Sequence, residues 1–408
     1  MSPVPSSAAL DAGNQAVRRD LLLAMLAGLS ASLVGIGLAR FAYTPLIPPL
    51  IQAHWFAASD VLYLSAANLL GYLAGALSAR PLARRWPQAD LLRWAMAVTS
   101  LAFFTCGWPV SAAWFFAWRF ISGWTGGVIM VLVASCLLPH VPLARRGLAS
   151  GAIFLGAGLG ILASGTLVPL LLRVGLQQAW FGLGALSLVL TVVAWRAWPC
   201  AQAPHAAPAA GVSAESTLAK RRALNRLNLQ YGLMAVGLVP TMVFLVDHVA
   251  RGLGWGLAAG TADWVLYGLG AIAGPMVFGA LADRVGVIAA GRWAVASQLL
   301  AVALLLVPAT PLGVGVSALL LGAYPPGVPV LMLGRVHQTL PGQHNAQHAA
   351  WGRATIVFAL LQALAGYGYS ALAALRHGDH HASFAIAGLA FVAILLLDVG
   401  AKQREHAH

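Results

Sequence analysis

The stretch LLLAMLAGLSASLVGIGLARFAYTPLIPPL, residues 21–50, decides the fold class. Its single charged residue is Arg40. A helix needs about 20 mostly apolar residues to cross the hydrocarbon core of a membrane, so this stretch predicts a transmembrane helix. The first twenty residues hold no apolar run, so we expect no cleaved signal peptide.

The rest of the chain repeats this pattern. Of its 408 residues, 60% are hydrophobic and 9% are charged, whereas soluble domains carry about 25% charged residues. The sequence therefore predicts an all-α membrane protein with twelve transmembrane helices. In chain order these spans lie near residues 21–50, 60–80, 90–109, 112–138, 147–172, 178–198, 228–249, 260–281, 291–308, 312–333, 349–374 and 382–400.

The charge pattern predicts the orientation of the spans. The formal net charge is +13, but the basic residues stand in short gaps between apolar runs, which argues against nucleic-acid binding. With the N-terminus in the cytoplasm, the basic residues that fall outside the cell are only Arg173, Arg251 and Arg376. An excess of Lys and Arg marks cytoplasmic loops. We therefore expect a multi-pass protein of the bacterial inner membrane with both termini in the cytoplasm.

A polar stretch near the middle of the chain divides the spans into two sets of six. An internal repeat supports this division: GALSAR, residues 75–80, ends span 2, and GALADR, residues 279–284, ends span 8. Parallel repeats of six helices are a known transporter plan. The predicted domains are an N-terminal tail 1–20, a first bundle 21–198, a cytoplasmic linker 199–227, a second bundle 228–400 and a C-terminal tail 401–408.

The segment GALADRVG, residues 279–286, resembles the cytoplasmic loop motif of the major facilitator superfamily. The resemblance implies a gate in which Gly279 permits close helix approach and Asp283 caps a neighbouring helix or pairs with an Arg. In the first copy Ala79 replaces the Asp, which weakens that latch. An ordinary charged turn is the alternative. The candidate gating residues are Gly75, Arg80, Gly279, Asp283, Arg284 and Gly286.

The segment GIGLARFAYTPLIP, residues 35–48, is similar to the signature of the YbfB/YjiJ family within that superfamily. Residues 264–275, and residues 354–355 with 362–366, agree with it. The resemblance implies the fold of the superfamily, two pseudo-symmetric six-helix bundles, with spans 1, 4, 7 and 10 lining a central cavity.

Two cations within spans predict the chemistry of that cavity. Arg40 lies in span 1 and Arg119 in span 4, where WRFISGWTGG, residues 118–127, resembles the Arg-Gly motif of proton-coupled facilitators. A charge inside a span costs at least about 2.5–3.5 kcal/mol. The alternative is that both side chains reach water at the outer ends of their spans. No acidic residue is clearly buried in the second half, so unpaired cavity cations would favour an anionic solute.

Several polar or aromatic residues are further candidates for contact with the solute; the alternative for each is a role in helix packing or at the membrane interface. They are Tyr43, Thr44, Asn68, Trp264, Tyr267 and Gln362. In span 10, Pro325, Pro326 and Pro329 predict a broken or kinked helix. We expect His377, His380 and His381 to lie in a solvated outer loop.

The sequence contains no catalytic constellation, no phosphate-binding loop and no metal cage, so we expect neither an enzyme nor a cofactor. The predicted function is secondary transport of a small organic anion by alternating access, coupled to protons. The expected partners are the solute, protons and the lipid bilayer, with the chain a monomer. The alternatives are efflux of amphipathic compounds and a membrane sensor that does not transport.

Overall fold

The computed structural model describes residues 7–141, 145–198 and 217–405, and all regular structure in these ranges is helical. Twelve of its helices are long and apolar enough to cross a membrane, which agrees with the predicted fold class. We number them α1 to α12 in chain order. From α2 onward they cover Ala58–Ala83, Gln88–Cys106, Ala112–Leu137, Arg146–Leu172, Leu176–Ala194, Thr217–Asp247, Gly256–Val285, Val287–Leu306, Pro311–Thr339, His344–Leu375 and His381–Glu405.

Helix α1 is irregular. An α-helical segment, Ser7–Ser32, runs into a π turn at Leu33–Leu38 and a short α segment at Ala39–Phe41. After a turn, a 3-10 segment at Thr44–Leu46 leads into the final α segment, Ile47–Gln52. Proline lacks a backbone N–H and is tolerated in the first turn of a helix; Pro45 lies in the 3-10 segment, and Pro48 and Pro49 lie in the first turn of the final α segment.

Helix α10 is not broken at its prolines, and the predicted alternative, a kink, stays a prediction. Pro325, Pro326 and Pro329 all lie inside one continuous helix, Pro311–Thr339. Neighbouring helices can hold a membrane helix together across proline. Here α8 packs against Gly322 and Gly327 of α10 on both sides of the first two prolines.

Two helices begin earlier than predicted. Helix α7 begins at Thr217, inside the predicted linker, and α1 begins at Ser7, inside the predicted tail. Residues 199–216 lie outside the described ones. Both helices thus extend beyond the apolar runs from which the spans are predicted. The division into domains stays a prediction.

Glycines bring α2 against α4 and α8 against α10. A Cβ at Gly75 would clash with the Trp124 carbonyl oxygen of α4, and one at Gly274 with the Ala323 carbonyl oxygen of α10. Gly71 and Gly123 make similar approaches in the first pair of helices, as Gly270 and Gly322 do in the second. The two halves, α1–α6 and α7–α12, therefore repeat the same close crossing.

The halves contact each other through α5 with α8 and through α2 with α11. The Trp264 Nε1 donates a hydrogen bond to the Ser164 Oγ at 2.9 Å, and the Ser370 Oγ donates to the Leu62 carbonyl oxygen at 3.0 Å. Twelve alternating spans leave both termini at one end, which we call the terminal end; the other is the distal end. Ser370 and Leu62 lie toward the distal end, so the halves are closed there.

Candidate functional site

A small cavity lies where α1, α2 and α4 of the first half face α7 of the second. It collects five of the eight predicted solute-contacting residues, together with four that the sequence did not single out. The lining residues are Arg40, Tyr43, Thr44, Ser65, Asn68, Leu69, Arg119, Met242 and Val243. The irregular segment of α1 contributes three of them, Arg40, Tyr43 and Thr44.

Arg119 is held in the cavity wall by one hydrogen bond and one ring. Its side chain is 3% exposed, and its Nη1 donates to the Ala39 carbonyl oxygen at 2.7 Å. The guanidinium carbon lies 4.4 Å from the centre of the Tyr43 ring. Its Nε is buried and has no hydrogen-bond partner. Part of the cation's hydrogen-bonding capacity is therefore left free.

Arg40 also faces the cavity. Its guanidinium carbon lies 4.2 Å from the centre of the Tyr72 ring. The side chain is half-buried, and its Nη2 is buried without a hydrogen-bond partner. Both predicted intramembrane cations thus line one cavity, and neither lies at the outer end of its helix.

The two cations lack a counter-charge. Among the residues that the structure describes, neither Arg40 nor Arg119 forms an ion pair with a carboxylate. Moving an ion from water to a protein interior costs several kcal/mol, whereas a cation–π contact returns about 0.5–2 kcal/mol. The rings therefore offset only part of the cost, and an anion between the two guanidinium groups would offset more of it.

Three other lining residues position the helices. The Tyr43 hydroxyl donates to the Val61 carbonyl oxygen at 2.7 Å, and the Thr44 Oγ1 donates to the Met242 carbonyl oxygen at 2.9 Å. The second bond joins α1 to α7 across the two halves. The Asn68 Nδ2 lies 3.0 Å from the Ser122 Oγ, and 3.3 and 3.4 Å from the Arg119 and Ala39 carbonyl oxygens. Asn68 thereby fixes α1, α2 and α4 relative to one another.

The other three predicted residues lie outside this cavity lining. Trp264 stacks on Tyr267 with ring centres 4.6 Å apart, and Phe41 of α1 packs on both rings. The Tyr267 hydroxyl is buried without a partner. Gln362 of α11 is 1% exposed, and neither its amide nitrogen nor its amide oxygen has a hydrogen-bond partner.

The predicted gating loop shows no latch here. Gly279 has open space where a Cβ would lie, so the predicted close approach at this residue is wrong; the crossing that matches Gly75 is at Gly274. Asp283 and Arg284 are exposed, and Asp283 has no ion pair within the described ranges. The Arg80 guanidinium lies against Gly352 of α11.

Gly286 alone joins α8 to α9. Its φ of +83° lies in the left-handed region, which favours glycine. The sequence motif thus ends at a residue whose backbone conformation requires it. The roles of Asp283 and Arg284 as a latch stay predictions.

The expectation that no acid is clearly buried in the second half is wrong. Asp398 is 5% exposed and accepts hydrogen bonds from the Arg335 Nη2 at 2.8 Å and the Gln230 Nε2 at 2.7 Å. Asp247 is 1% exposed and lies against Arg251 and His380. Both acids are neutralised within their own half. Asp263 is also buried but forms no ion pair among the described residues, so the cavity cations remain unpaired.

His380 is also buried, contrary to the predicted solvated loop. Its side chain has no exposed surface and its Nε2 lies 2.7 Å from the Asp247 Oδ2. The i, i+4 spacing of Asp247 and Arg251 was a sequence signal for this cluster. His380 carried no such signal, because its partner is 133 residues away in the chain.

Comparisons with known proteins agree with this architecture. Residues 32–398 match a family described as "Uncharacterised MFS-type transporter YbfB", which agrees with the resemblance of the span 1 motif. No curated protein matches the chain.

Solved transporters share the fold at low sequence identity. A mutant of the nucleoside transporter NupG superposes with a TM-score of 0.71 at 12% identity, over 93% of this chain and 99% of that one. A D-xylose-proton symporter gives 0.70 at 14% identity, over 92% and 96%. An auto-inhibited POT family peptide transporter gives 0.67 at 16%, over 94% and 97%.

Proposed function

Because the chain belongs to the YbfB-type family of major facilitator superfamily transporters, a family of membrane carriers rather than enzymes, we propose that it carries a small organic anion by alternating access. Protons are the proposed coupling ion. The solute binds in the cavity between the halves, and rocking of the halves exposes it to one side of the membrane and then to the other.

The pair of unneutralised guanidinium groups carries this proposal. Arg40 and Arg119 line one cavity, and each keeps a buried nitrogen without a partner. Guanidinium groups bind carboxylate and phosphate oxygens through charge-assisted hydrogen bonds. An anionic solute would supply the negative charge that no carboxylate of the described residues provides to these two cations.

The closed distal end supports an alternating-access cycle. The Thr44–Met242 and Ser370–Leu62 hydrogen bonds cross between the halves on that side. Each is a single bond from a hydroxyl to a carbonyl oxygen, with a typical net contribution of about 1 kcal/mol. Such contacts can break when the halves rock apart.

Proton coupling, orientation and assembly complete the proposal. A D-xylose-proton symporter shares the fold, which supports protons as the coupling ion. The excess of basic residues in the predicted inner loops supports a bacterial inner-membrane location with both termini in the cytoplasm. We propose a monomer in the lipid bilayer, with solute and protons as its partners.

Uptake into proteoliposomes tests the proposal. The panel comprises monocarboxylates, dicarboxylates, organic phosphates and organic amines, each with and without a pH gradient. We expect an anion to accumulate and the gradient to raise its uptake. Selective uptake of an amine, or uptake that ignores the gradient, would contradict the anionic cargo or the proton coupling respectively.

Substitution of the cavity cations then tests their role. Arg40→Gln and Arg119→Gln each remove a charge while keeping a hydrogen-bond donor, and we expect uptake to fall about ten- to hundredfold, as for one lost charged contact. Arg173→Gln is the matched control, because Arg173 is exposed after α5. Undiminished uptake by folded Arg40→Gln and Arg119→Gln variants would remove both residues from the mechanism.

A further inference from the structure

A buried histidine–aspartate pair lies toward the distal end of the second half. His380 directly precedes α12, and Asp247 is the last residue of the regular α7 helix. Their side chains are 0% and 1% exposed, and the His380 Nε2 lies 2.7 Å from the Asp247 Oδ2. This contact joins α7 to the start of α12.

Five charged or titratable groups surround this histidine, and most of them already have a partner. The Arg251 Nη2 donates to the Asp247 Oδ2 at 2.7 Å, so Asp247 has a cation of its own. The His381 Nδ1 lies 2.7 Å from Asp379 on the exposed side. The groups are Asp247, His248 and Arg251 of α7 and its π turn, and Asp379 and His381 of the segment leading into α12.

The second ring nitrogen of His380 is the group that this arrangement leaves unused. Its Nδ1 is buried without a hydrogen-bond partner, and the ring stacks on Phe244 at a centroid distance of 4.7 Å. When Nε2–H donates to Asp247, Nδ1 presents a free lone pair. A proton from water forms an N–H bond there and adds one positive charge.

That charge has no buried counter-charge left to neutralise it, because Arg251 already balances Asp247. A buried net charge is unfavourable unless water reaches it. Arg251 is 26% exposed, so the cluster borders the distal surface. Opening of the distal end would hydrate the protonated site.

The cluster lies on a helix that helps to close this end. Met242 of α7, which accepts the hydrogen bond from Thr44 of α1, lies little more than one turn before Asp247. We propose that His380, held by Asp247, is a proton-binding site whose protonation favours opening of the distal end. This inference deepens the proposed function, since it supplies a site for the coupling proton.

A cysteine at the closed contact reports on the opening without any solute. Ser370 is fully buried and bonds to Leu62 across the halves, so Ser370→Cys tests whether that contact is closed. The background replaces Cys106, Cys136 and Cys200 by serine. The measurement is the rate of maleimide labelling, divided at each pH by the rate at Ala53→Cys, an exposed position just after α1.

We expect the ratio to rise about fivefold or more between about pH 8 and about pH 5.5, the range in which histidine takes up a proton. His380→Gln keeps an N–H donor for Asp247 but holds no proton, so its ratio should change less than about twofold. His381→Gln is the matched control, because the adjacent His381 is 53% exposed. It should keep the response of the parent.

A flat ratio in the parent, or an unchanged response in His380→Gln, would overturn the inference. If His380→Gln does not fold, His380→Asn replaces it, because it also has an N–H donor and holds no proton, and it too should lose the response. A pH-dependent ratio without anion uptake would keep the proton site and defeat the proposed cargo. Anion uptake with a labelling ratio that does not change with pH would support the proposed cargo and overturn the proton site.

Discussion

The two halves of the protein pack their helices alike but place their charges differently. The crossing of α2 with α4 and that of α8 with α10 use glycines against backbone carbonyls in the same way. In the first half, however, Arg40 and Arg119 line the cavity without a carboxylate partner among the described residues. In the second half, Asp247 and Asp398 are buried with two or more partners each.

The difference in charge pairing distinguishes charges that stabilise the fold from charges that are available to bind a ligand. A buried charge whose partners lie within its own half adds rigidity to that half. A buried charge without a partner destabilises the closed protein, and a ligand of opposite charge would offset that cost. Repeated glycine crossings hold the helices of each half close together, and the unpaired cations place most of the proposed binding chemistry in the first half.

The largest expected effect concerns the paired charges. Asp398→Asn leaves Arg335, 12% exposed, without its carboxylate. We expect a loss of about 3–5 kcal/mol in the free energy of unfolding, the usual cost of removing one partner of a buried pair. An unfolding titration with SDS in mixed micelles measures it.

Asp90→Asn is the matched control for that loss. It breaks the Arg93–Asp90 pair of the first half, in which Asp90 is 50% exposed. Exposed pairs contribute about 0–1 kcal/mol. Equal losses for Asp398→Asn and Asp90→Asn would contradict the view that burial makes the second-half pair structural.

A smaller effect is expected where the halves agree. A Cβ at Gly322 would clash with the Tyr267 carbonyl oxygen, so Gly322→Ala should cost about 1–3 kcal/mol by overpacking. Gly279→Ala meets open space and should gain up to about 1 kcal/mol in helix propensity. The same titration measures both. A loss of stability in Gly279→Ala comparable to that in Gly322→Ala would indicate a close helix contact at Gly279, which the structure does not show.

The expected change at the cavity cation is a gain in stability rather than a loss. Arg40→Gln removes an unpaired cation, so the solute-free protein should gain about 0.5–2 kcal/mol in stability while transport falls. The thermal unfolding midpoint in detergent measures this change, with Arg173→Gln as the neutral reference. A lower midpoint would show that Arg40 supports the fold, and the contrast between the halves would weaken.

The architecture could be predicted from the sequence because membrane spans need long apolar runs that local composition reveals. The placement of Arg40 and Arg119 followed for the same reason, since an isolated charge within such a run needs a polar surrounding. Tyr43 and Thr44 came with Arg40, because they follow it within about one helical turn.

The remaining features depend on contacts between distant segments. His380 lies between two other polar residues near a predicted loop, and only the fold brings it against Asp247. The GALSAR and GALADR repeat suggested that Gly75 corresponds to Gly279. In the structure the equivalent of Gly75 is Gly274, because both lie at the close helix crossing of their half. The continuous α10 is another example. Its prolines favour a break locally, but α8 packs against it on both sides of Pro325 and Pro326.

The π turn at Leu33–Leu38 has a consequence for how the cavity could be lost. A π turn holds one more residue than the α turn it replaces, and each residue of an α-helix rotates the next by about 100°. A single-codon deletion within this turn would restore an ordinary helix and swing Arg40 away from Tyr72. The length of the chain at this turn would thus distinguish relatives in which the residue equivalent to Arg40 faces the cavity from relatives in which it does not.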